Sequence, residues 1–136
     1  MSTRNPGNPP YRAMLSLTLP AEPEAACTAR RRVRELPLDS ETQETVALLV
    51  TELLTNAMRH APTPVPPGTT IDLQVTTDEH SVRVEVVNEG PGFNWRRRAK
   101  EPTQPGGLGL VLVDRLADRW GIVGGEETRV WLELEH

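Results

Sequence analysis

The chain has 136 residues, a formal charge of −4, a single cysteine and 4% aromatic residues, which is the size of one domain. Cys27 alone excludes an intrachain disulfide and a cysteine zinc cluster, and no stretch approaches the roughly 18–20 apolar residues of a membrane span. Mean hydropathy is −0.44, yet Leu and Val runs over 46–54 and 108–116 exclude disorder.

Residues 1–13 are polar and proline-rich, and predict a flexible arm ahead of a domain over 14–136. The arm lacks the apolar core of a signal peptide, so the chain is expected to be cytoplasmic. Leu15, Leu17 and Leu19 alternate with Ser16 and Thr18, a strand pattern stopped by Pro20. Residues 22–35 read as a helix carrying Arg30, Arg31, Arg32 and Arg34, either a solvated face or a binding patch.

The clearest element is a helix over about 41–61. Ser40 and Gln43 have the spacing of a capping box. Val46, Leu49, Val50, Leu53, Leu54 and Ala57 form an apolar stripe, and Pro62 ends the helix. A proline-rich loop over 62–67 leads to a strand in which Ile71, Leu73 and Val75 alternate with polar residues. After a turn near 78–80, Val82, Val84 and Val86 mark its hairpin partner.

Gly90-Pro91-Gly92 follows that strand. Residues 93–106 hold Arg96, Arg97, Arg98 and Lys100, and read as a long basic loop. A helix opens at Gly107-Leu108-Gly109 and is expected to run to about Trp120, with strands near 120–123 and 129–135 closing the chain. The order β-α-α-β-β-loop-α-β-β predicts an α/β (α+β) two-layer sandwich: a mixed, mostly antiparallel sheet with helices on one face.

Glu52, Asn56, Arg59 and His60 fall at i, i+4, i+7 and i+8 of the long helix and share one face. A carboxylate, an amide oxygen and a cation in that arrangement can hold a metal ion and phosphates, although a solvated face would look the same. Asn is a poor mid-helix residue unless its side chain has a task. The Rossmann fingerprint needs a helix directly after the glycines, and here a long loop follows. The Walker pattern needs Gly-Lys-Ser/Thr, and the only lysine, Lys100, precedes Glu101. The glycines at 106, 107 and 109 instead precede a helix whose free N–H groups can bind phosphate.

ELLTNAMRHA (52–61), VNEGPGF (87–93) and GGLGL (106–110) stand in the order and spacing of the N box and the two glycine boxes of the GHKL, or Bergerat-fold, ATP-binding family. The chain resembles that family from about Leu15 to Leu134. It is most similar to the family's small single-domain bacterial branch, the anti-sigma-factor serine kinases. The resemblance implies ATP and Mg²⁺ as cofactors. It makes Asn56 the magnesium ligand, Glu52 the general base, and Arg59 a phosphate contact. His60 would be either an ordinary helix residue or a contact to adenosine or the lid. Gly90 and Gly92 would let the backbone approach the nucleotide. Gly107, Leu108 and Gly109 would form the hinge of a lid over 93–106 and expose amides to the phosphates. Thr128 falls where the family often carries Gly-Thr. The resemblance further implies two partners, a sigma factor and an anti-anti-sigma protein, and pairing as a homodimer. The alternative is a regulatory binding module of the same fold, non-catalytic or weakly ATP-binding.

One position departs from the pattern. The family's first glycine box begins with Asp, whose carboxylate accepts the adenine amino group; here it is Asn88. Asn88 keeps an acceptor oxygen and loses the charge, and charge-assisted bonds are roughly twice as strong. A sensor histidine kinase is disfavoured, because the arm is too short for a phospho-accepting helical domain. Direct nucleic-acid binding is disfavoured too, because no aromatic residues interleave the arginine runs.

Overall fold

The computed structural model describes residues 12–59, 66–89, 108–124 and 126–136. Within them the elements are β1 (Arg12–Pro20), α1 (Glu24–Val33), α2 (Ser40–Arg59), β2 (Thr70–Thr77), β3 (Ser81–Glu89), α3 (Leu108–Leu116), β4 (Arg119–Val123) and β5 (Glu127–Glu135). The arm over 1–11 lies outside the described residues, and β1 begins at Arg12, which pairs with Thr77.

The strands form one sheet in the order β1-β2-β3-β5-β4. All four described pairings are antiparallel, where a mixed sheet was expected. The connections explain the difference. Between β1 and β2 the chain runs through two helices, so it reverses three times, into α1, into α2 and into β2, and the strands are antiparallel. Between β3 and β4 it runs through α3, and those two strands do point the same way. β5 then inserts between them and is antiparallel to both, so no parallel pair is hydrogen-bonded.

Strand parity divides the sheet into two faces. Leu15, Leu19, Ile71, Leu73, Val75, Val82, Val84, Val86, Val130, Leu132 and Leu134 are buried on the face that carries the helices. They meet Val46, Leu49, Val50, Leu53, Leu54 and Ala57 of α2 in a single core, as the helical stripe predicts. α1 contributes Ala25, Ala26, Ala29 and Val33 at i, i+1, i+4 and i+8, and their small volumes let it lie close to α2. Of the four basic residues near its end, Arg32 pairs with Glu35 and Arg34 with Glu44, both on the surface.

Two boundaries differ from the sequence reading. α2 is capped by Asp39 rather than Ser40. Thr42 N–H donates to Asp39 Oδ2 at 3.0 Å and the Thr42 hydroxyl to Oδ1 at 2.6 Å. These bonds, the hydroxyl's first, hold the Asp39 carboxyl below its ordinary range. Gln43 turns outward from the helix, and its Nε2 donates to Leu36 O at 2.6 Å. α3 ends at Leu116, not near Trp120. Asp118 N–H leaves the helix to bond Glu133 O at 2.9 Å, and Asp118 Oδ2 receives Glu135 N–H at 2.6 Å. Trp120 then belongs to β4, and its indole N–H donates back to Asp114 at 2.9 Å.

Two turns enter the β2–β3 hairpin and close it. Gly68, at φ +81°, takes the position of a type II turn over 66–69 that favours glycine, and Thr69 N–H closes it on Pro66 O at 3.2 Å. Asp78 Oδ1 accepts from His80 N–H and Ser81 N–H at 2.8 and 2.7 Å, fixing the turn between the strands.

Candidate functional site

Three polar residues are buried at one end of the sandwich: Asn56 on α2 (2% exposed), Asn88 on β3 (5%) and Thr128 on β5 (3%). Register and connectivity bring them to that end. Ile71, Asn88 and Thr128 stand in one row across β2, β3 and β5. Pro20 pairs with Thr70 one residue beyond that row, so β1 also finishes there. α1 starts from the same end, and the link over 34–39 reverses the chain into α2, which packs against α1. The last turns of α2, with Asn56, therefore return to where β1 finished. β3 finishes at this end with Asn88 and Glu89, and α2 packs against both α3 and β3.

Asn88 occupies a position that a packing argument would fill with an aliphatic. Val84 and Val86 precede it on the same face of β3, and Ile71 and Thr128 flank it. Its Oδ1 is buried and, among the described residues, has no hydrogen-bond partner. Leaving such an acceptor unsatisfied costs about 1–3 kcal/mol. The fold tolerates that cost at a place where an N–H donor from outside the chain would relieve it.

On α2, Glu52 lies one turn before Asn56 and is half-buried. The two functional groups therefore project from neighbouring positions of one helix face, the carboxylate nearer solvent and the amide inside. Arg59 falls in the last turn of α2, and Leu108 and Gly109 in the first turn of α3. The side chains of Arg59 and Leu108 lie outside the described residues, as do His60, Gly90, Gly92, Gly107 and the predicted lid over 93–106.

A family model of the histidine kinase-like ATPase domain matches residues 19–134. The chain belongs to that family. A comparison with curated proteins gives no match. The match takes in the end of β1 and every described element from α1 to β5, and the family implies ATP as the ligand. The orphaned Asn88 oxygen suits that ligand, because adenine carries an amino donor. Among the described residues, no group of three His, Cys, Asp or Glu could hold a metal ion. A single amide oxygen at Asn56 is instead the kind of ligand a hard cation takes when phosphates and water complete its shell. Among the described residues no helix is long and apolar enough to cross a membrane.

The opposite face of the sheet holds a feature that the alternation of β3 and β5 does not reveal. Arg83 Nη1 donates to Glu133 Oε2, and Arg119 Nε to Glu133 Oε1, each at 2.8 Å. Arg83 Nε also reaches Glu85 at 3.1 Å, and Arg129 joins Glu85 at 2.9 Å. The Arg83 guanidinium lies 4.5 Å from the Trp131 ring centroid, a cation–π distance. Burial acts against the Glu133 charge, but the bonds from Arg119 and Arg83 outweigh it and hold the carboxyl below its ordinary range. Burial likewise opposes the Arg83 charge, and the bonds to Glu85 and Glu133 raise its affinity for the proton. A cavity of about 340 Å³ on this face is lined by Ser16, Thr18, Gln74, Glu85, Glu127 and Arg129, among others. It lies across the sheet from Asn88 and Thr128, so it is separate from the candidate nucleotide site.

Proposed function

We propose that this histidine kinase-like ATPase domain is an ATP-dependent serine protein kinase that also binds a sigma factor and restrains it. Its substrate would be a serine on a small anti-anti-sigma protein. The observation that carries the reading is the Glu52–Asn56 pair, one turn apart on α2, at the sheet end where Asn88 keeps an acceptor with no partner among the described residues.

Each residue then has a defined task. Asn88 Oδ1 accepts a hydrogen bond from the adenine amino group, beside the Thr128 hydroxyl. Asn56 offers its amide oxygen to Mg²⁺, and Arg59 supplies positive charge to the phosphates. The N–H groups at Gly107, Leu108 and Gly109 add donors at the start of α3, and Gly90 and Gly92 leave the backbone free of side chains beside the nucleotide. Glu52, at the more open position, takes the proton from the substrate hydroxyl. Bound Mg-ATP supplies the phosphoryl group and the charge neutralisation that such transfer requires.

The test has two readouts. Calorimetry measures Mg-ATP binding, and mass spectrometry measures serine phosphorylation of an anti-anti-sigma protein from the same genome. Glu52→Gln should keep ATP binding within a few-fold and abolish transfer, because a general base acts in the transition state. Transfer at the wild-type rate by Glu52→Gln would refute the assignment. ATP binding by the wild type with no transfer to any serine would favour a regulatory binding module, a reading that the uncharged Asn88 also supports.

A further inference from the structure

We propose that this nucleotide site accepts guanine as readily as adenine, because its base-reading floor is the Asn88–Thr128 pair, which has no fixed hydrogen-bond polarity. The inference rests on the reading above that this end of the sheet holds a nucleoside triphosphate.

The two residues are direct cross-strand partners on the helix-covered face. Directly opposed side chains in an antiparallel pair start about 4.5–5.5 Å apart at Cβ, so one purine edge can meet both. On the other side Asn88 is flanked by Ile71, which has no polar side-chain atom. The edge of adenine offers an amino donor beside a ring acceptor. The edge of guanine offers the reverse, a carbonyl acceptor beside a ring N–H donor. A carboxylate at this position accepts only, so it holds the adenine amino group and repels the guanine carbonyl. An amide can do either: half a turn about its last bond exchanges Oδ1 for the N–H₂ group. A threonine hydroxyl likewise donates or accepts according to its rotation.

What makes the exchange available is that no described residue pins the amide oxygen. Asn88 is 5% exposed, yet its Oδ1 has no partner among the described residues. An asparagine with a structural role would have its oxygen fixed by a backbone N–H, and turning it would cost that bond. Here turning the amide breaks no bond at the oxygen, so the ligand sets the orientation. Both purines can then satisfy the buried acceptor or replace it with a satisfied donor.

The experiment titrates the full chain with Mg-ATP, Mg-GTP and the magnesium complex of inorganic triphosphate by calorimetry, without any phosphoryl acceptor. ATP and GTP should bind within about fivefold of each other, and inorganic triphosphate more weakly than either. Asn88→Asp fixes the polarity and should depress GTP relative to ATP by about 5- to 150-fold, the equivalent of one unsatisfied buried group. Wild-type protein that binds ATP but discriminates against GTP by fiftyfold or more would overturn the inference and leave the ATP site standing. Inorganic triphosphate binding as tight as ATP would also overturn it, since the base would then go unread. No binding of any nucleotide would remove the site itself, and the inference with it. The wild-type comparison is decisive even where Asn88→Asp fails to fold.

Discussion

Replacing Glu133 by Gln tests the ion-pair network on the open face of the sheet. The substitution preserves shape and removes the charge that Arg83 and Arg119 share. The Glu133 side chain is 11% exposed and Arg83 25%, so their 2.8 Å bond is largely shielded. A charged hydrogen bond of that kind contributes about 1.5–3 kcal/mol. Arg119 is 61% exposed, and its share is discounted to well under about 1 kcal/mol by solvent. Arg83 keeps Glu85 at 3.1 Å, so no cation is stranded. The expected loss is about 2 kcal/mol at pH 7, or about 8 °C in Tm at roughly 4 °C per kcal/mol for a chain of this size.

The pH dependence gives the sharper check. The Glu133 carboxyl titrates below its ordinary 4.5 in the folded chain. Its stabilisation is therefore complete above about pH 4.5 and is lost as pH falls through the lower folded value. Urea unfolding of both proteins at pH 7 and pH 3 should show a gap that narrows towards zero in acid. A Glu133→Gln protein within about 0.5 kcal/mol of wild type at pH 7 would refute the argument. So would an undiminished gap at pH 3.

Two further outcomes follow from particular contacts. A Cβ on Gly121 would lie 2.8 Å from Trp131 Nε1, so Gly121→Ala must displace an indole that Arg83 holds on its ring. It should cost about 1–3 kcal/mol and change the near-ultraviolet circular dichroism; an unaltered spectrum and stability would contradict the stacking. Asn88→Val removes a buried acceptor without a partner, so it should raise the stability of the unliganded chain by about 1 kcal/mol. The same variant should lose ATP binding in calorimetry, and a destabilised variant would show that the asparagine is structural.

Much of this protein is written locally. Each strand announces itself by alternation, as in Ile71, Leu73 and Val75, because a pleated chain places every second side chain on one face. The α2 stripe from Val46 to Ala57 is equally legible, since 3.6-residue periodicity needs no partner to define it. The three boxes and the Glu52–Asn56 spacing are contiguous in sequence, so the family could be named from them. Asn88 stood out as a departure within one of those boxes.

Other features depend on which strands lie side by side. Two local signals misled: Ser40 matched a capping pattern, but Asp39 was nearer the right geometry, and α3 was overextended because Glu133 O captures Asp118 N–H. The insertion of β5 between β3 and β4 has no periodic signature, and it keeps those two like-directed strands from pairing. That insertion sets Thr128 beside Asn88, places Trp131 over Gly121, and brings Glu133 between Arg83 and Arg119. Hydrogen-bond register sets these juxtapositions between residues tens of positions apart, where pattern within a segment carries no information. The buried, unpartnered oxygen of Asn88 belongs to the same class. The sequence determined that an amide stands there, and only the packing of three strands and a helix around it decided that nothing in the described chain satisfies it.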